Sequence, residues 1–181
     1  TVSTVPAITG TIATYGIGAL GAVNRVYVLT IAIFDSQGNL VTPARLHVLD
    51  GSNDTVITSV DIGETIFNQP ALQPIAVDVT HQRVYVLNHD EGKLVVVDGA
   101  TNAKLADIQL LSEPTTIAVN EASNRIYVYA GEDNSLWIVD GVTLTVKARA
   151  ILPMDMTSMA VDPATSRILS TNFGDADPGL M

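Results

Sequence analysis

Three histidines are the side chains of this sequence best suited to bind a metal ion or to move a proton: His47, His81 and His89. Only His89 has carboxylates beside it, because Asp90 and Glu91 follow it directly. Imidazole and carboxylate groups are common ligands of zinc and other transition metals. These three consecutive residues are therefore the candidate metal site of the chain, with a solvated turn as the alternative interpretation.

The residue types and motifs of the sequence do not indicate covalent or redox chemistry. The chain contains no cysteine, which excludes disulfides, thiolate metal sites and a cysteine nucleophile. It also lacks the G-x-S-x-G, P-loop and H-E-x-x-H patterns. Residues 16–21 match G-x-G-x-x-G in letters, but they lie on a predicted strand that no helix follows. We therefore predict no catalytic residue and no cofactor.

The charge balance restricts the class of partner. The 181 residues include 19 acidic and 9 basic side chains, which gives a formal net charge of −10. Nucleic acids and anionic membrane surfaces both require clustered Lys and Arg, so neither is expected as a partner. Apolar residues make up 47% of the chain, enough for a sizeable core, and no apolar run approaches the length of a membrane span.

The segments that carry these residues repeat along the chain with a period of 42 residues. Three separate sequence segments recur at this same period, which makes a chance match improbable. An earlier copy keeps the same eight-residue spacing between Ile17 and Arg25, but it contains two insertions of 10 and 6 residues. The repeated segments include Ile75–Asp78, Ile117–Asn120 and Met159–Asp162, together with Arg83–Val86, Arg125–Val128 and Arg167–Ser170.

Each repeat contains four short segments rich in Val, Ile, Tyr and Thr, separated by turn sequences. Four-stranded units repeating at about 40–45 residues are typical of β-propeller blades. We therefore predict one all-β domain, a β-propeller of four-stranded antiparallel blades with about four units, three of them complete and the chain partial at both ends. The units are expected near residues 14–62, 74–110, 115–152 and 157–181, the last being incomplete.

The predicted blades do not close a ring in an obvious way, although closure is how propellers protect their strand edges. The favoured interpretation is an arc of a larger propeller. Its remaining blades would lie in further sequence or in a second copy of the chain. The alternative is a compact, irregular four-bladed propeller.

A family resemblance lies in the second repeat, in Gln73–Asn88 followed by Lys93–Asn102. This stretch resembles the YVTN-type β-propeller repeat, whose signature tetrapeptide corresponds to Tyr85–Asn88 here. The third repeat departs from the tetrapeptide at Tyr127–Ala130, and the first departs at Tyr27–Thr30. The resemblance covers most of the chain and implies a propeller that is extracellular, on the cell surface or periplasmic. Surface-layer proteins, periplasmic binding propellers and heavy subunits of periplasmic dehydrogenases all resemble it, so it does not separate these functions.

Charged residues recur at fixed positions in the repeat. An arginine begins each second strand, and an aspartate ends each third strand near the same face. We predict one structural Arg–Asp pair per blade, worth about 0–1 kcal/mol if it is exposed. The residues are Arg25, Arg83, Arg125 and Arg167 with Asp50, Asp98 and Asp140.

Both insertions lie in loops that are expected on one face of the propeller, called the upper face. The affected loops are residues 29–46 and 63–74. Because binding residues concentrate on variable loops held by a constant scaffold, we predict a partner contact there. The alternative is that the extended hairpin folds back and caps its own blade. The predicted contact residues are Ile33, Phe34, Asp35, Ile66, Phe67 and Asn68.

These observations favour a non-catalytic, extracytoplasmic propeller that serves as a binding or assembly scaffold, with a protein partner or self-association. A structural subunit of a surface layer or filament is one alternative. The other is the propeller subunit of a periplasmic oxidoreductase or lyase, with a site at the upper mouth of the channel. Candidate residues for such a site are Asn68, Gln69, Glu113 and Asp155.

Overall fold

The computed structural model of the protein describes residues 14–66, 73–153 and 155–171. Within these residues the fold is all-β, as predicted, and a single 3₁₀ turn at Gly21–Val23 accompanies the strands. No helix in this part of the chain has the length and apolar content that crossing a membrane requires.

The first four-stranded sheet, called blade 1, is antiparallel in the order β1-β2-β5-β6. A separate two-stranded hairpin, β3–β4, is inserted between its second and third strands. In chain order the strands are β1 (Thr14–Leu20), β2 (Arg25–Thr30), β3 (Ile33–Phe34), β4 (Leu40–Thr42), β5 (Ala44–Asp50) and β6 (Val56–Gly63).

Two further four-stranded sheets and one two-stranded sheet follow as blades 2, 3 and 4. Blade 2 contains β7 (Ile75–Asp78), β8 (Arg83–Asn88), β9 (Lys93–Asp98) and β10 (Lys104–Gln109). Blade 3 contains β11 (Pro114–Asn120), β12 (Arg125–Ala130), β13 (Ser135–Asp140) and β14 (Thr145–Ile151). Blade 4, as far as it is described, contains β15 (Ser158–Asp162) and β16 (Arg167–Thr171).

The blades are arranged side by side around a common axis. Their first strands contact one another in succession, β1 with β7, β7 with β11, and β11 with β15. The second and third strands of blade 2 are buried on both faces, because a neighbouring blade covers each side. The run Leu94–Val97 is therefore continuously apolar instead of alternating.

Apolar clusters fill the spaces between successive blades. The cluster between blades 1 and 2 includes Tyr27, Leu46 and Val86. Between blades 2 and 3 it includes Tyr85 and Trp137. A third cluster lies between blades 3 and 4. Burial at these boundaries is the main force that holds the arc together, at about 25 cal/mol per Å² of apolar surface removed from water.

The turns at the lower end of the blades share one backbone geometry. The residue before each repeated arginine has a positive φ, as at Asn24 (53°), Gln82 (51°) and Asn124 (49°). The carbonyl group of each accepts a hydrogen bond from the backbone N–H of a glycine in the adjacent turn, over 2.7–3.0 Å. These glycines are Gly51, Gly99 and Gly141. The repeated Asp-Gly pairs of the sequence therefore mark turns that tie two hairpins together at the lower rim.

Candidate functional site

The upper end of blades 1 and 2 is formed by the inserted hairpin, by the loop that leaves β6, and by the turn after β8. We call this region the upper rim and define it as residues 31–43, 63–66 and 88–92. The Ala32 N–H donates to the Thr65 carbonyl over 2.8 Å, which joins the hairpin base to the loop that leaves β6. The loops that carry the two insertions therefore lie together, as the predicted partner contact requires.

The base of the inserted hairpin packs onto its own blade. Ala32 is buried in the cluster between blades 1 and 2, and Ile31 packs against the same cluster. Ile66 does so as well, and Ile33 is half-buried. To this extent the alternative interpretation, in which the hairpin folds back on its blade, describes the base correctly.

The tip of the hairpin exposes apolar side chains. Phe34 pairs with Leu40 across β3 and β4, and Val41 follows. Phe34 is 37% exposed and Val41 is 63% exposed, and Leu40 is exposed as well. Three neighbouring exposed apolar residues on a two-stranded hairpin form a patch that water solvates poorly. We call this set, Phe34, Leu40 and Val41, the hairpin patch.

Asp35 organises the turn at the hairpin tip. Its carboxylate accepts hydrogen bonds from the backbone N–H groups of Gln37 (2.9 Å) and Asn39 (2.8 Å) and from the Asn39 side chain (2.9 Å). The bonds from Asn39, and then the bond from Gln37, lower the pKa of Asp35 below its usual value. Gly38 completes the turn with a φ of 84°. Asp35 thus holds the conformation that presents the hairpin patch, while its charge stays exposed.

The turn after β8 fastens the loop that leaves β6. The Thr65 hydroxyl and the Ile66 N–H both donate to Asp90 Oδ2 over 2.8 Å. The Glu64 N–H donates to Glu91 Oε1 over 2.7 Å. Thr65 is buried, so its hydroxyl requires this partner. These contacts hold the loop that leaves β6 against the turn after β8.

Asn88 is the central residue of this bracing. Its side-chain amide donates to the Ile62 carbonyl (2.8 Å) and to Glu91 (2.9 Å), and its side-chain oxygen accepts from the Glu91 N–H. Burial raises the pKa of Glu91, but the hydrogen bonds from Lys93, Glu64 and Asn88 outweigh this effect, so the net pKa is lowered. Gly63 has a φ of 103° and lies against the Glu91 carboxylate, where no side chain fits.

The structure does not bring His89, Asp90 and Glu91 together as metal ligands. His89 is buried beside the Pro114 carbonyl (Nδ1 to O, 3.3 Å), on the side of blade 3. Asp90 and Glu91 instead brace the loop from blade 1. Among the described residues no group of three or more His, Asp or Glu side chains is placed to hold a metal ion. The metal hypothesis is corrected accordingly, because successive turn residues point towards different neighbours.

The repeated Arg and Asp residues are adjacent in register, but they rarely form ion pairs. Arg25 lies opposite Asp50 and approaches it at 4.0 Å. Arg83 instead donates to the Gly141 carbonyl of blade 3, and Asp140 pairs with Lys147 at 2.5 Å. The prediction of one ion pair per blade is therefore wrong for blades 2 and 3.

The aspartates of these pairs serve mainly to stabilise turns. Asp98 accepts from the backbone N–H groups of Ala100 (3.0 Å) and Thr101 (2.7 Å), and the bonds from Thr101 lower its pKa. Asp50 and Asp140 bond the following turn residues in the same way. Arg125 and Arg167 are exposed at the lower rim. The recurrence of aspartate therefore follows from turn geometry, in which a carboxylate accepts the N–H groups two and three residues ahead.

The residues proposed for an enzymatic site do not converge within the described chain. Glu113 lies 3.4 Å from His89 Nε2 and half of its side chain is exposed. Asp155 is exposed in the loop before β15. Asn68 and Gln69 lie outside the described residues, as does Phe67 of the predicted partner contact.

A serine–histidine contact exists in blade 1 that the sequence did not reveal. His47 Nδ1 is 2.8 Å from Ser59 Oγ, and Nε2 is 3.3 Å from Thr30 Oγ1. In a catalytic triad a carboxylate orients the imidazole, whereas here a hydroxyl occupies that position. The contact satisfies polar groups across three adjacent strands, and burial followed by the charge of Arg45 lowers the pKa of His47.

A groove of about 380 Å³ runs along the inner strands of all four blades. It is lined by small and apolar residues, among them Gly18, Ala76, Ala118 and Val161. Gln73 is the one strongly polar side chain of this lining, so a ligand there would bond mainly to backbone groups. The upper rim therefore remains the better candidate for a functional surface.

Comparison with known proteins identifies the fold but no family. No protein-family model matches the chain, and no curated protein matches it. Among solved structures, a chain of the hydrazine synthase of Kuenenia stuttgartiensis is similar, with 13% identity and a TM-score of 0.70. That alignment covers 94% of this chain and 45% of the other. The β-propeller domain of Cps50 (Swd1) from Myceliophteria thermophila is similar at 12% identity, with a TM-score of 0.66, 90% of this chain covered and 48% of the other.

A chain of the mitotic checkpoint complex is similar at 12% identity, with a TM-score of 0.64, over 88% of this chain and 47% of the other. At these identities the similarity shows the fold alone, which is that of a β-propeller. The chain spans slightly less than half the length of each of these structures. The predicted fold class, an arc of four-stranded antiparallel propeller blades, is thereby confirmed.

Proposed function

We propose that this β-propeller is a non-catalytic scaffold that binds a protein partner through the upper-face loops, residues 29–46 and 63–74. The observation that carries the proposal is the hairpin patch of Phe34, Leu40 and Val41, which is exposed on a braced base. Exposed apolar side chains that lie together often mark a protein-binding surface. Rigid support lowers the entropy lost on binding, because the loop is already ordered.

Charge around the patch defines the class of partner. Asp35, Glu64 and Asp90 are exposed at the upper rim, whereas the exposed Glu91 is already paired with Lys93 at 2.5 Å. The whole chain carries a net charge of −10. A basic protein surface with an apolar centre would complement this arrangement and would be steered towards it electrostatically. Nucleic acid is a poor candidate for the same reason.

The proposal includes a location outside the cytoplasm. Support comes from the resemblance of the repeat around Tyr85–Asn88 to the YVTN type, and from the absence of cysteine. Family membership within the YVTN-type propellers is part of this proposal. Fractionation of the native source, followed by detection of the chain in the exported or the cytoplasmic fraction, tests the location separately from the binding role.

Site-specific crosslinking tests the partner contact. A photo-crosslinking amino acid is placed at Val41, and a matched variant carries it at Ile57, which is exposed on β6 of the same blade. Illumination in a native extract is expected to give a discrete product from position 41 that is absent from position 57. The captured protein is then purified and its affinity for the chain is measured.

The affinity measurement decides the proposal. Phe34→Ser combined with Val41→Ser is expected to weaken binding at least tenfold, since both side chains would lose their apolar contacts. Ile57→Ser serves as the control and should leave the affinity unchanged. Equal affinities for all three proteins would overturn the proposal. Point substitutions are preferable to removing residues 35–44, because Ala44 is buried at the start of β5.

A further inference from the structure

The turn between the third and fourth strands of blade 1 carries the one Asn-x-Ser or Asn-x-Thr sequence of the chain, formed by Asn53, Asp54 and Thr55. This pattern is the acceptor sequence for N-linked glycans when it lies on an accessible surface of an exported protein. The turn connects β5 to β6, and both Asn53 and Thr55 are exposed in it. The structure therefore supplies the surface position that the pattern requires.

The Asn53 side chain uses its oxygen within the turn and leaves its nitrogen free. The backbone N–H and the hydroxyl of Thr55 both donate to Asn53 Oδ1, over 3.0 and 2.7 Å. A backbone N–H can only donate, so the atom that it meets must be the amide oxygen. The described part of the chain places no acceptor against Asn53 Nδ2. The nitrogen to which a sugar attaches is therefore open to solvent.

The turn does not need an asparagine at this position of the repeat. In blade 2 the equivalent residue is Thr101, whose N–H and hydroxyl donate to Asp98 Oδ1 over 2.7 and 2.9 Å. In blade 1 Ser52 bonds the equivalent Asp50 instead, through its N–H at 2.8 Å and its hydroxyl at 2.5 Å. The Asn53 side chain therefore takes no part in bonding the carboxylate that stabilises these turns.

The turn lies at the end of blade 1 opposite the hairpin patch. β5 begins at Ala44, beside the inserted hairpin, and ends at Asp50, where the turn begins. A strand of this length, seven residues, separates the two ends by about 20 Å. A bulky, hydrated group on Asn53 would therefore project from the lower rim and leave the hairpin patch uncovered.

We propose that Asn53 is an N-glycosylation site and that its glycan covers the lower rim of blade 1. The inference rests on the proposed location outside the cytoplasm, because N-linked glycans of this type are found on exported proteins. The co-reactant is a lipid-linked oligosaccharide, joined to its lipid through phosphate. Asn53 Nδ2 loses one proton and bonds to C1 of the first sugar, while the bond from C1 to the phosphate oxygen breaks. The lipid phosphate and the proton are the products released.

Peptide mass spectrometry of the chain from the exported fraction of its native source tests the inference. The tryptic peptide that follows Arg45 is expected to carry the mass of a glycan, and fragmentation should assign it to Asn53. Asn53→Asp is the matched variant, since its carboxylate keeps an acceptor for the two Thr55 donors but has no nitrogen to modify. Thr55→Ala should lose the glycan as well, whereas Thr55→Ser should retain it.

Each outcome decides between the proposals. An exported chain with an unmodified Asn53, or a glycan that persists in Asn53→Asp, would overturn the glycosylation and leave the location intact. Detection of the chain in the cytoplasmic fraction alone would overturn the location and the glycosylation together. Binding at the hairpin patch is measured separately, and its loss would not affect the assignment of a glycan to Asn53.

Discussion

The carboxylate of Asp90 accepts a hydrogen bond from the Thr65 hydroxyl over 2.8 Å, and this contact fastens blade 1 to blade 2 at the upper rim. The Thr65 carbonyl in turn accepts from the Ala32 N–H at the base of the inserted hairpin. A single turn of blade 2 therefore fixes both the loop that leaves blade 1 and the hairpin that carries the exposed patch.

Replacement of Asp90 by alanine is expected to lower the free energy of unfolding by about 1–2 kcal/mol, because the buried Thr65 hydroxyl would lose its acceptor. Urea denaturation followed by circular dichroism measures the change. The control is Glu132→Ala, since Glu132 is the exposed equivalent in blade 3. If both variants lose the same stability, the contact between the blades is not what Asp90 contributes.

The close approach of blades 1 and 2 gives a second prediction. A Cβ atom on Gly18 would lie 2.7 Å from Val77 Cγ2, whereas one on Gly21 would meet nothing within 4 Å. We expect Gly18→Ala to destabilise the fold by about 1–3 kcal/mol through overpacking, and Gly21→Ala to be nearly neutral. Thermal unfolding of the two variants in parallel measures the difference. A neutral Gly18→Ala variant would mean that the inner strands separate easily.

The arginine that reaches across a blade boundary can be distinguished from its exposed equivalent. Arg83 donates to the Gly141 carbonyl of blade 3, whereas Arg125 is exposed at the lower rim. We expect Arg83→Gln to cost about 1 kcal/mol and Arg125→Gln to cost almost nothing. Urea denaturation of both variants tests this. Equal costs would instead support a similar structural role for the arginine in every blade.

The stability of blade 1 is expected to depend on pH through His47. Burial and the charge of Arg45 lower its pKa in the folded chain, so below its ordinary value of about 6.5 the unfolded chain binds the proton more tightly. The free energy of unfolding should therefore be unaffected by this group above about pH 7 and should fall as the pH decreases below about 6.5. Melting temperatures of the unmodified chain and of His47→Gln at pH 7.5 and 5.5 measure this. If the variant shows the same decrease between the two pH values, His47 is not responsible.

Most of the fold could be predicted from the sequence because it is carried by local, repeated signals. The period of 42 residues, the alternation in segments such as Arg83–Val86, and the Asp-Gly turns together specify four-stranded units. The alternation and the turns act within one hairpin, and the period spans one four-stranded unit. The loops with insertions were also identified correctly as neighbours, since the loops after the second and the fourth strand of an antiparallel blade emerge on the same face.

The side-chain partners could not be predicted in the same way. Asp90 and Glu91 are neighbours of His89 in sequence, but in the structure they bond the loop from blade 1 while His89 contacts Pro114 of blade 3. In the sequence Asn88 is the last residue of the tetrapeptide that resembles the YVTN-type repeat. Only the structure revealed that its side chain bonds Ile62 and Glu91 at the upper rim. Thr65 carried no signal at all, because a single threonine in a loop has no pattern that indicates burial.

The sequence by itself determined the architecture, since secondary structure, turn type and repeat length depend on short-range propensity and hydrophobic periodicity. The tertiary structure decided which polar groups meet and which equivalent residues remain exposed. Ile17 and Ile75 are the same residue at the same place in the repeat, yet one is exposed and the other is buried. Ile75 is buried because blade 1 packs against it, and no property of the residue itself encodes that contact.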